Sequence, residues 1–334
     1  MSRLSEWMDA RQVPLAVAGI AAGAVLALVL PAAARPLEHA ITPVLAALLY
    51  VTFLAVPFPA LAGVFRDGRL LVAVLVLNFA VVPAVVFGLS RLVAHDSALL
   101  IGVLLVLLTP CVDYVIVFSG MAGGDRERLL VATPVLTIGQ MVLLPGYLWL
   151  LGGEHTLAAV DLRPFAEAFL LVVAAPVGLA VLTQLLGRSL PRLRRTADAA
   201  QGGVVPLMAL TLLVVVASQA ARAGGAVTEL LPVVPVFVLF AIVMVPLGAG
   251  IARAARLDRP GRTAVVFSGV TRNSLVVLPL ALALPPALHL APLVVVTQTL
   301  VELLVMVLLV AVFRRMRRPD VMTAQALQGN RAPR

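Results

Sequence analysis

Long apolar segments alternate with short charged or Gly/Pro-rich turns along almost the whole chain. The apolar runs exceed ~18 residues and do not alternate strictly, which is typical of membrane-spanning helices rather than barrel strands. In lipid, only helices and closed barrels satisfy every backbone hydrogen bond. The pattern predicts an all-α integral membrane protein with ten transmembrane helices, at residues 12–34, 42–64, 69–93, 97–121, 127–151, 164–187, 203–221, 230–253, 262–286 and 290–313.

The composition supports a surface that faces lipid. Apolar residues make up 62% of the 334 residues and charged residues only 12%, whereas a soluble domain carries about 25% charged residues. The net charge is +9, and every basic residue is arginine. These arginines are scattered over short loops, so we expect the lipid bilayer as a partner and no nucleic acid.

The arginines also predict the orientation in the membrane. Twenty of the 25 lie in the two terminal tails and in the loops after even-numbered spans, and four lie in the loops after odd-numbered spans. Positive charge is retained on the cytoplasmic side, so both termini are predicted in the cytoplasm, in a cytoplasmic (inner) membrane. The run from Val13 to Ala34 is too long for the core of a signal peptide and suits a spanning helix.

The two halves of the chain resemble each other. Residues 78–83 and 240–246 both contain Phe-Ala followed, after one or three residues, by Val-Pro, and each precedes a span with polar residues near its centre. Five spans per half is an odd number, so the second copy is inverted relative to the first. The predicted domains are 1–187 (first repeat, about 12–151, plus span 6), 188–202 (basic cytoplasmic linker), 203–313 (remainder of the second repeat, about 164–313) and 314–334 (basic cytoplasmic tail).

Spans 4 and 9 are predicted to be discontinuous and to cross. Pro110 removes a backbone donor near the centre of span 4, close to Asp113, and span 9 carries Arg272 at similar depth. A lone charge at the membrane centre costs ~3 kcal/mol or more, so we predict an Asp113–Arg272 ion pair. The alternatives are that each charge faces a water-filled cavity, or that the pair is purely structural.

Interrupted helices leave free backbone groups and direct half-helix dipoles into the gap. This predicts a small-molecule site made of main chain and a few side chains: Thr109, Cys111, Asp113, Arg272 and Asn273. Cys111 is the only cysteine, so no intrachain disulfide forms. A thiolate suits trivalent arsenic or antimony, although most buried thiols only contribute packing.

Gln298 and Glu302 lie four residues apart in span 10 and share one helix face. A carboxyl group among leucines and valines is costly if it faces lipid, so Glu302 is predicted to carry a coupling proton. The alternative is a structural carboxyl group bonded to a neighbouring helix. Asn78 and Gln140 are expected to bond between helices. The sequence holds no catalytic or metal-binding motif, so we expect no enzyme activity, cofactor or metal.

The chain resembles the bile acid:sodium symporter superfamily and, within it, the arsenite permeases of arsenical resistance. The resemblance is sharpest over residues 111–127, with a cysteine, an apolar stretch and a Gly-Asp-containing loop, and over 300–306 around a glutamate. It implies a core domain of spans 3–5 and 8–10 that moves against a panel of spans 1–2 and 6–7. It also implies an essential thiol at Cys111 and a membrane carboxylate at Glu302.

Two positions depart from the permease pattern. Pro110 stands where the permeases usually have arginine, and Arg272-Asn273 stands where they usually have two asparagines. The resemblance implies a secondary active transporter that exports arsenite as neutral arsenous acid, coupled to H⁺. The alternative is a symporter coupled to Na⁺ that carries a small organic anion and binds its carboxylate or sulfonate through Arg272.

Overall fold

A computed structural model describes residues 8, 11–55, 68–112, 114–152, 167 and 170–329. Over these residues the chain is helical, with one isolated β-bridge and no strand. The helices are, in chain order, α1 Gln12–Val29, α2 Ala34–Ala55, α3 Gly68–Val76, α4 Val82–Ser90, α5 Ser97–Leu107, α6 Tyr114–Met121, α7 Arg126–Gly152, α8 Ala175–Gly187, α9 Pro191–Gln201, α10 Val204–Gly225, α11 Val227–Leu230, α12 Val233–Ala254, α13 Arg259–Val270, α14 Ser274–Leu282 and α15 Ala291–Gly329.

Several of these helices are long and apolar enough to cross a membrane. Within the described ranges, four helical stretches meet this criterion, and up to six do when each of two pairs bent by 52° counts as one span. The prediction of an all-α protein with several membrane spans is therefore confirmed. The criterion does not reach ten because predicted spans 4 and 9 each consist of two short helices, the apolar helix of span 1, Val17–Val29, is too short, and span 6 includes undescribed residues. The four are Pro31–Leu54, Gly68–Val93, Thr228–Ala254 and Pro286–Met316.

One predicted boundary differs from the structure, and one predicted linker contains a helix. Because Pro31 cannot continue α1, the chain turns through a short 3₁₀ segment and α2 begins at Ala34, eight residues before the predicted start of span 2 at residue 42. The predicted linker 188–202 contains α9, a helix without a buried residue. Its arginines and alanines favour helix formation on an exposed face, and such a helix contains no apolar run.

The helices pack in two groups. The peripheral group contains α1, α2, α8, α9 and α10, with α10 packed along both α1 and α2. The central group contains α3–α7 and α12–α15, in which α12 packs on α13 and α5 packs on α15. The groups meet where α10 contacts α15 and α2 contacts α14.

Two glycines let α1 and α10 approach closely. A Cβ atom at Gly19 would lie 2.5 Å from the carbonyl oxygen of Ala209, and one at Gly23 would lie 2.6 Å from that of Leu213. This spacing of small residues four apart is typical of tightly packed membrane helices. The peripheral group is therefore built around a close helix pair.

Candidate functional site

The breaks in spans 4 and 9 lie directly against each other. α5 ends at Leu107 and α6 begins at Tyr114, while α13 ends at Val270 and α14 begins at Ser274. Between them, the chain segments run antiparallel and form an isolated bridge. The Cys111 N–H donates to the Thr271 carbonyl at 3.4 Å, and the Asn273 N–H donates to the Thr109 carbonyl at 2.8 Å. The interrupted segments therefore satisfy part of each other's backbone, as expected for broken helices that cross.

Each outer half-helix begins at an aspartate. Oδ1 of Asp96 accepts the Ala98 and Leu99 N–H groups at 2.8 and 3.0 Å, and Oδ1 of Asp258 accepts the Gly261 N–H at 3.3 Å. A carboxylate at a helix N-terminus caps free donors and complements the positive end of the dipole. The opposite, negative ends of α5 and α13 both lie at the crossover.

Arg272 lies at these two negative ends and is 0% exposed. Its Nη2 donates to the carbonyl oxygens of Ser268 and Gly269, at 2.7 and 2.8 Å, in the last turn of α13. Its Nη1 donates to the carbonyl oxygen of Leu107, the last residue of α5, at 3.3 Å. One guanidinium group thus caps the C-terminal ends of both half-helices.

Two further contacts fix the Arg272 side chain from the neighbouring spans. Its Nη2 donates to Oδ1 of Asn78 at 2.9 Å, and its Cζ lies 5.4 Å from the centre of the Phe240 ring. Asn78 also donates to Oγ of Ser268 at 3.0 Å, so it bonds between helices as predicted. Asp113 lies outside the described residues, and the Asp113–Arg272 ion pair stays a prediction.

Glu302 approaches the same break from span 10. Its side chain is 4% exposed, and its Oε2 accepts the backbone N–H of Arg272 at 2.9 Å. The same oxygen accepts a hydrogen bond from Nε2 of Gln298. Because the break exposes a backbone donor, the carboxyl group joins α15 to span 9 through main chain.

The remaining predicted residues lie in or beside the crossover. Oγ1 of Thr109 donates to the Leu105 carbonyl at 2.7 Å, so its hydroxyl proton is used within α5. Cys111 is fully buried. Oδ1 of Asn273 accepts the Val276 N–H at 3.3 Å and caps α14.

Buried polar atoms without a partner mark one side of this crossover. Within the described residues, Nδ2 of Asn273, Oγ of Ser274 and Oε1 of Gln298 are buried and make no hydrogen bond. Such groups are rare in folded proteins and often indicate a missing ligand or water. Ser274 was not among the predicted site residues, although it follows Asn273 directly in the polar stretch of span 9.

A small pocket opens beside Ser274, between the peripheral and central groups. Its walls are apolar except for the hydroxyl groups of Ser274 and Thr299. Thr299 lies one turn from Glu302, so the pocket and the crossover adjoin. The described lining residues are Ile20, Leu212, Val215, Val216, Ser274, Leu278, Val295, Val296, Thr299 and Leu300.

A helical membrane protein in which two broken helices cross around buried charges and unsatisfied polar atoms has the architecture of a secondary transporter. The comparison with known families agrees, because the Sodium Bile acid symporter family matches residues 42–224, more than half of the chain. The chain belongs to this family of membrane transporters. The family resemblance seen in the sequence is thereby confirmed.

One curated relative is similar over part of the chain. The Arsenical-resistance protein Acr3 of Corynebacterium glutamicum is 25% identical over 152 residues. These residues represent 43% of this chain and 41% of the relative, so the match spans about two-fifths of the length of that protein.

Proposed function

We propose that this chain is a secondary active transporter that exports arsenite, as neutral arsenous acid, across the cytoplasmic membrane. The observation that carries the proposal is the crossover of two broken helices, with Asn273, Ser274 and Gln298 offering unpartnered buried polar atoms there. A small molecule with several hydroxyl groups is well suited to donors and acceptors of this kind. The similarity to Acr3 supports the same substrate.

The environment of Arg272 favours a neutral substrate over an anion. Its guanidinium group is fully buried and donates to oxygens of three helical segments. An organic anion would have to displace these contacts to reach the charge, at the cost of leaving several carbonyl groups unpaired. The alternative, a Na⁺-coupled organic-anion symporter, relied on Arg272 to bind the anion, and these contacts already occupy its guanidinium group.

Cys111 is the proposed soft ligand of arsenic. Trivalent arsenic is thiophilic, and Cys111 lies in the crossover, bonded through its backbone to Thr271. The thiol replaces one hydroxyl group of arsenous acid: an As–S bond forms, one As–O bond breaks, and the thiol proton leaves with that hydroxyl group as water. Two oxygens remain on arsenic, and Asn273 and Ser274 are the groups proposed to bind them. Asp113 and Thr109 are proposed to shape this site together with Arg272.

Glu302 is the proposed proton carrier, with Gln298 as its partner. A neutral substrate experiences no membrane potential, so uphill export requires a coupled ion. The Glu302 carboxyl group bonds the backbone of the span-9 break, and protonation would weaken a hydrogen bond that a carboxylate accepts more strongly. Proton binding is thereby coupled to the contact between α15 and the site.

We further propose ten spans in two inverted repeats, at about 12–151 and 164–313, with both termini in the cytoplasm. Matched half-helices support the repeat, because α5 and α6 have 11 and 8 residues while α13 and α14 have 12 and 9. Contacts between the loops after predicted spans 4 and 8 support the topology, because it places both loops on the same side of the membrane. Asp125 N–H donates to the Pro260 carbonyl at 3.2 Å, and Arg128 pairs with Asp258 at 3.1 Å.

Alternating access is proposed to occur by movement of the central group against the peripheral group. The pocket that contains Ser274 lies between them, so relative movement of the two groups changes its access. The basic linker 188–202 and the tail 314–334 are proposed to remain on the cytoplasmic side.

Arsenite counter-flow in proteoliposomes, with and without a pH gradient, tests the proposal. We expect saturable counter-flow that the gradient stimulates, its loss in Cys111→Ser, and loss of the pH response in Glu302→Gln. Glu127→Gln, at an exposed position on α7, is the matched control and should behave like the wild type. Wild-type activity in both Cys111→Ser and Glu302→Gln, or Na⁺-dependent uptake of a carboxylate instead of arsenite, contradicts the proposal.

A further inference from the structure

The C-terminal ends of two half-helices converge on one point of the crossover. The last turn of a helix has carbonyl groups without intrahelical donors and carries the negative end of the dipole. α5 and α13 both end here, at Leu107 and Val270. Two such ends that face each other in a buried place require a positive charge between them.

The oxygens around this point form a set that suits a cation. The carbonyl oxygens of Leu107, Ser268 and Gly269 and Oδ1 of Asn78 lie 2.7–3.3 Å from nitrogen atoms of one guanidinium group. Neutral carbonyl and amide oxygens are also the ligands that replace the hydration shell of alkali cations. In broken-helix transporters, half-helix C-termini commonly coordinate the coupling cation.

We propose that the Arg272 guanidinium is a built-in cation that occupies this position permanently, so that the chain requires no Na⁺ at its crossover. Arginine remains charged at all accessible pH values, and a tethered cation can neither dissociate nor be transported. It therefore supplies the charge that the two helix ends need without coupling them to an ion gradient. Arg272 is thus a positioning residue rather than a ligand of the substrate.

This role separates two charges that lie close together. The Arg272 side chain serves the carbonyl ends of α5 and α13, while its backbone N–H binds the carboxyl group of Glu302. Because the Arg272 guanidinium keeps its charge, the Glu302 carboxyl group can gain or lose a proton without removing the positive charge at the helix ends. The inference rests on the proposed function only where it concerns transport. The binding of the guanidinium group by these four oxygens does not depend on any substrate.

Arg272→Ala tests the inference by emptying the cation position while leaving the oxygens in place. The variant, purified as the full chain in detergent, is heated in choline chloride, in NaCl and in low-millimolar guanidinium chloride. We expect a lower Tm than the wild type in choline chloride. Guanidinium and Na⁺ should each raise it by at least ~2 °C, since a ligand that binds only the folded state stabilises it.

Arg91→Ala is the matched control. Arg91 also donates to a helix-end carbonyl, that of Leu151 at 2.8 Å, and lies over a phenylalanine ring, that of Phe87 at 4.8 Å, but its side chain is exposed. Neither this variant nor the wild type should respond to Na⁺ or guanidinium relative to choline. Arg272→Lys, which keeps a tethered charge, should also lack the response.

An Arg272→Ala protein whose Tm is the same in all three salts overturns the inference, and so does specific stabilisation of the wild type by Na⁺. If Arg272→Ala does not fold, Arg272→Gln replaces it in the same comparison. The wild-type Tm in NaCl and in choline chloride remains a test, because a higher value in NaCl overturns the inference. These Tm values involve no substrate. A failure of arsenite counter-flow therefore contradicts the proposed function alone, and a failure of the cation response contradicts this inference alone.

Discussion

The breaks in spans 4 and 9 fulfil the same structural task with different residues. Span 4 breaks around Pro110, in a stretch where Leu107, Leu108 and Cys111 are buried. Span 9 breaks at Thr271, Arg272 and Asn273 without a proline. A proline removes a donor and excludes helix geometry by its own covalent structure. The span-9 residues permit a helix, so their break depends on the partners they find.

Those partners come from several parts of the fold. The Arg272 guanidinium binds both half-helix ends, Glu302 binds the Arg272 backbone, and Asn273 caps the following half-helix. The comparison teaches that one break is fixed locally and the other by tertiary contacts. Substitutions in span 9 should therefore change stability more than substitutions in span 4.

Arg272→Met should have the largest effect. It keeps an unbranched, flexible stem but leaves the carbonyl groups of Leu107, Ser268 and Gly269 without their donor in a buried site. We expect the free energy of unfolding to fall by ~3–5 kcal/mol, as for the loss of one partner from a buried charged network. Denaturant titration of the purified protein measures this change. Arg91→Met, at the exposed arginine, should lose less than ~1 kcal/mol, and an equal loss in both variants contradicts the comparison.

Asn273→Ala should have an intermediate effect. It removes the side-chain oxygen that accepts the Val276 N–H at the start of α14. Loss of an N-cap costs about 1 kcal/mol. The same titration measures it, and Asn273→Ser, which retains a capping oxygen, should recover most of the loss. A loss that serine does not recover indicates that the amide nitrogen, rather than the cap, carries the stability.

Pro110→Ala should have the smallest effect on stability. Neither backbone–backbone hydrogen bond between the breaks involves Pro110 directly, since these two bonds join Cys111 to Thr271 and Asn273 to Thr109. The new N–H can donate to the carbonyl of Val106 and lengthen α5 slightly. We expect a change within ~1 kcal/mol but reduced arsenite counter-flow, because the break that positions Cys111 is altered. A destabilisation as large as that of Arg272→Met would indicate that tertiary contacts determine both breaks, which contradicts the comparison.

The sequence was sufficient to locate the interruptions and the buried carboxyl group. Pro110, the polar stretch around Arg272, and Glu302 in an apolar helix each violate the pattern of a lipid-facing span, and the structure brings all three together. The partners of Arg272 were harder to predict. Its described partners include three backbone carbonyl groups and Asn78. Because every residue has a backbone carbonyl group, the sequence does not reveal which of them will accept a hydrogen bond.

The pocket beside the crossover could not be predicted from periodicity. Ser274 and Thr299 are single hydroxyl groups in apolar segments, and small hydroxyl residues are common in membrane helices. What makes them part of one pocket is the packing of α1 and α10 against α14 and α15, which are far apart in sequence. Helix α9 was missed for the opposite reason, because its charged sequence does not produce an apolar run.

The antiparallel contact between the two breaks is the central claim, and Thr271→Cys tests it directly. Residues opposite each other across an antiparallel pair have Cα atoms about 5.5 Å apart or less, within the range of a disulfide, and Cys111 is the only native cysteine. After oxidation and denaturation, thiol labelling should find both cysteines consumed in an intrachain disulfide. Thr263→Cys, buried two turns earlier on α13, should keep both thiols. Two free thiols in Thr271→Cys as well would contradict the crossover.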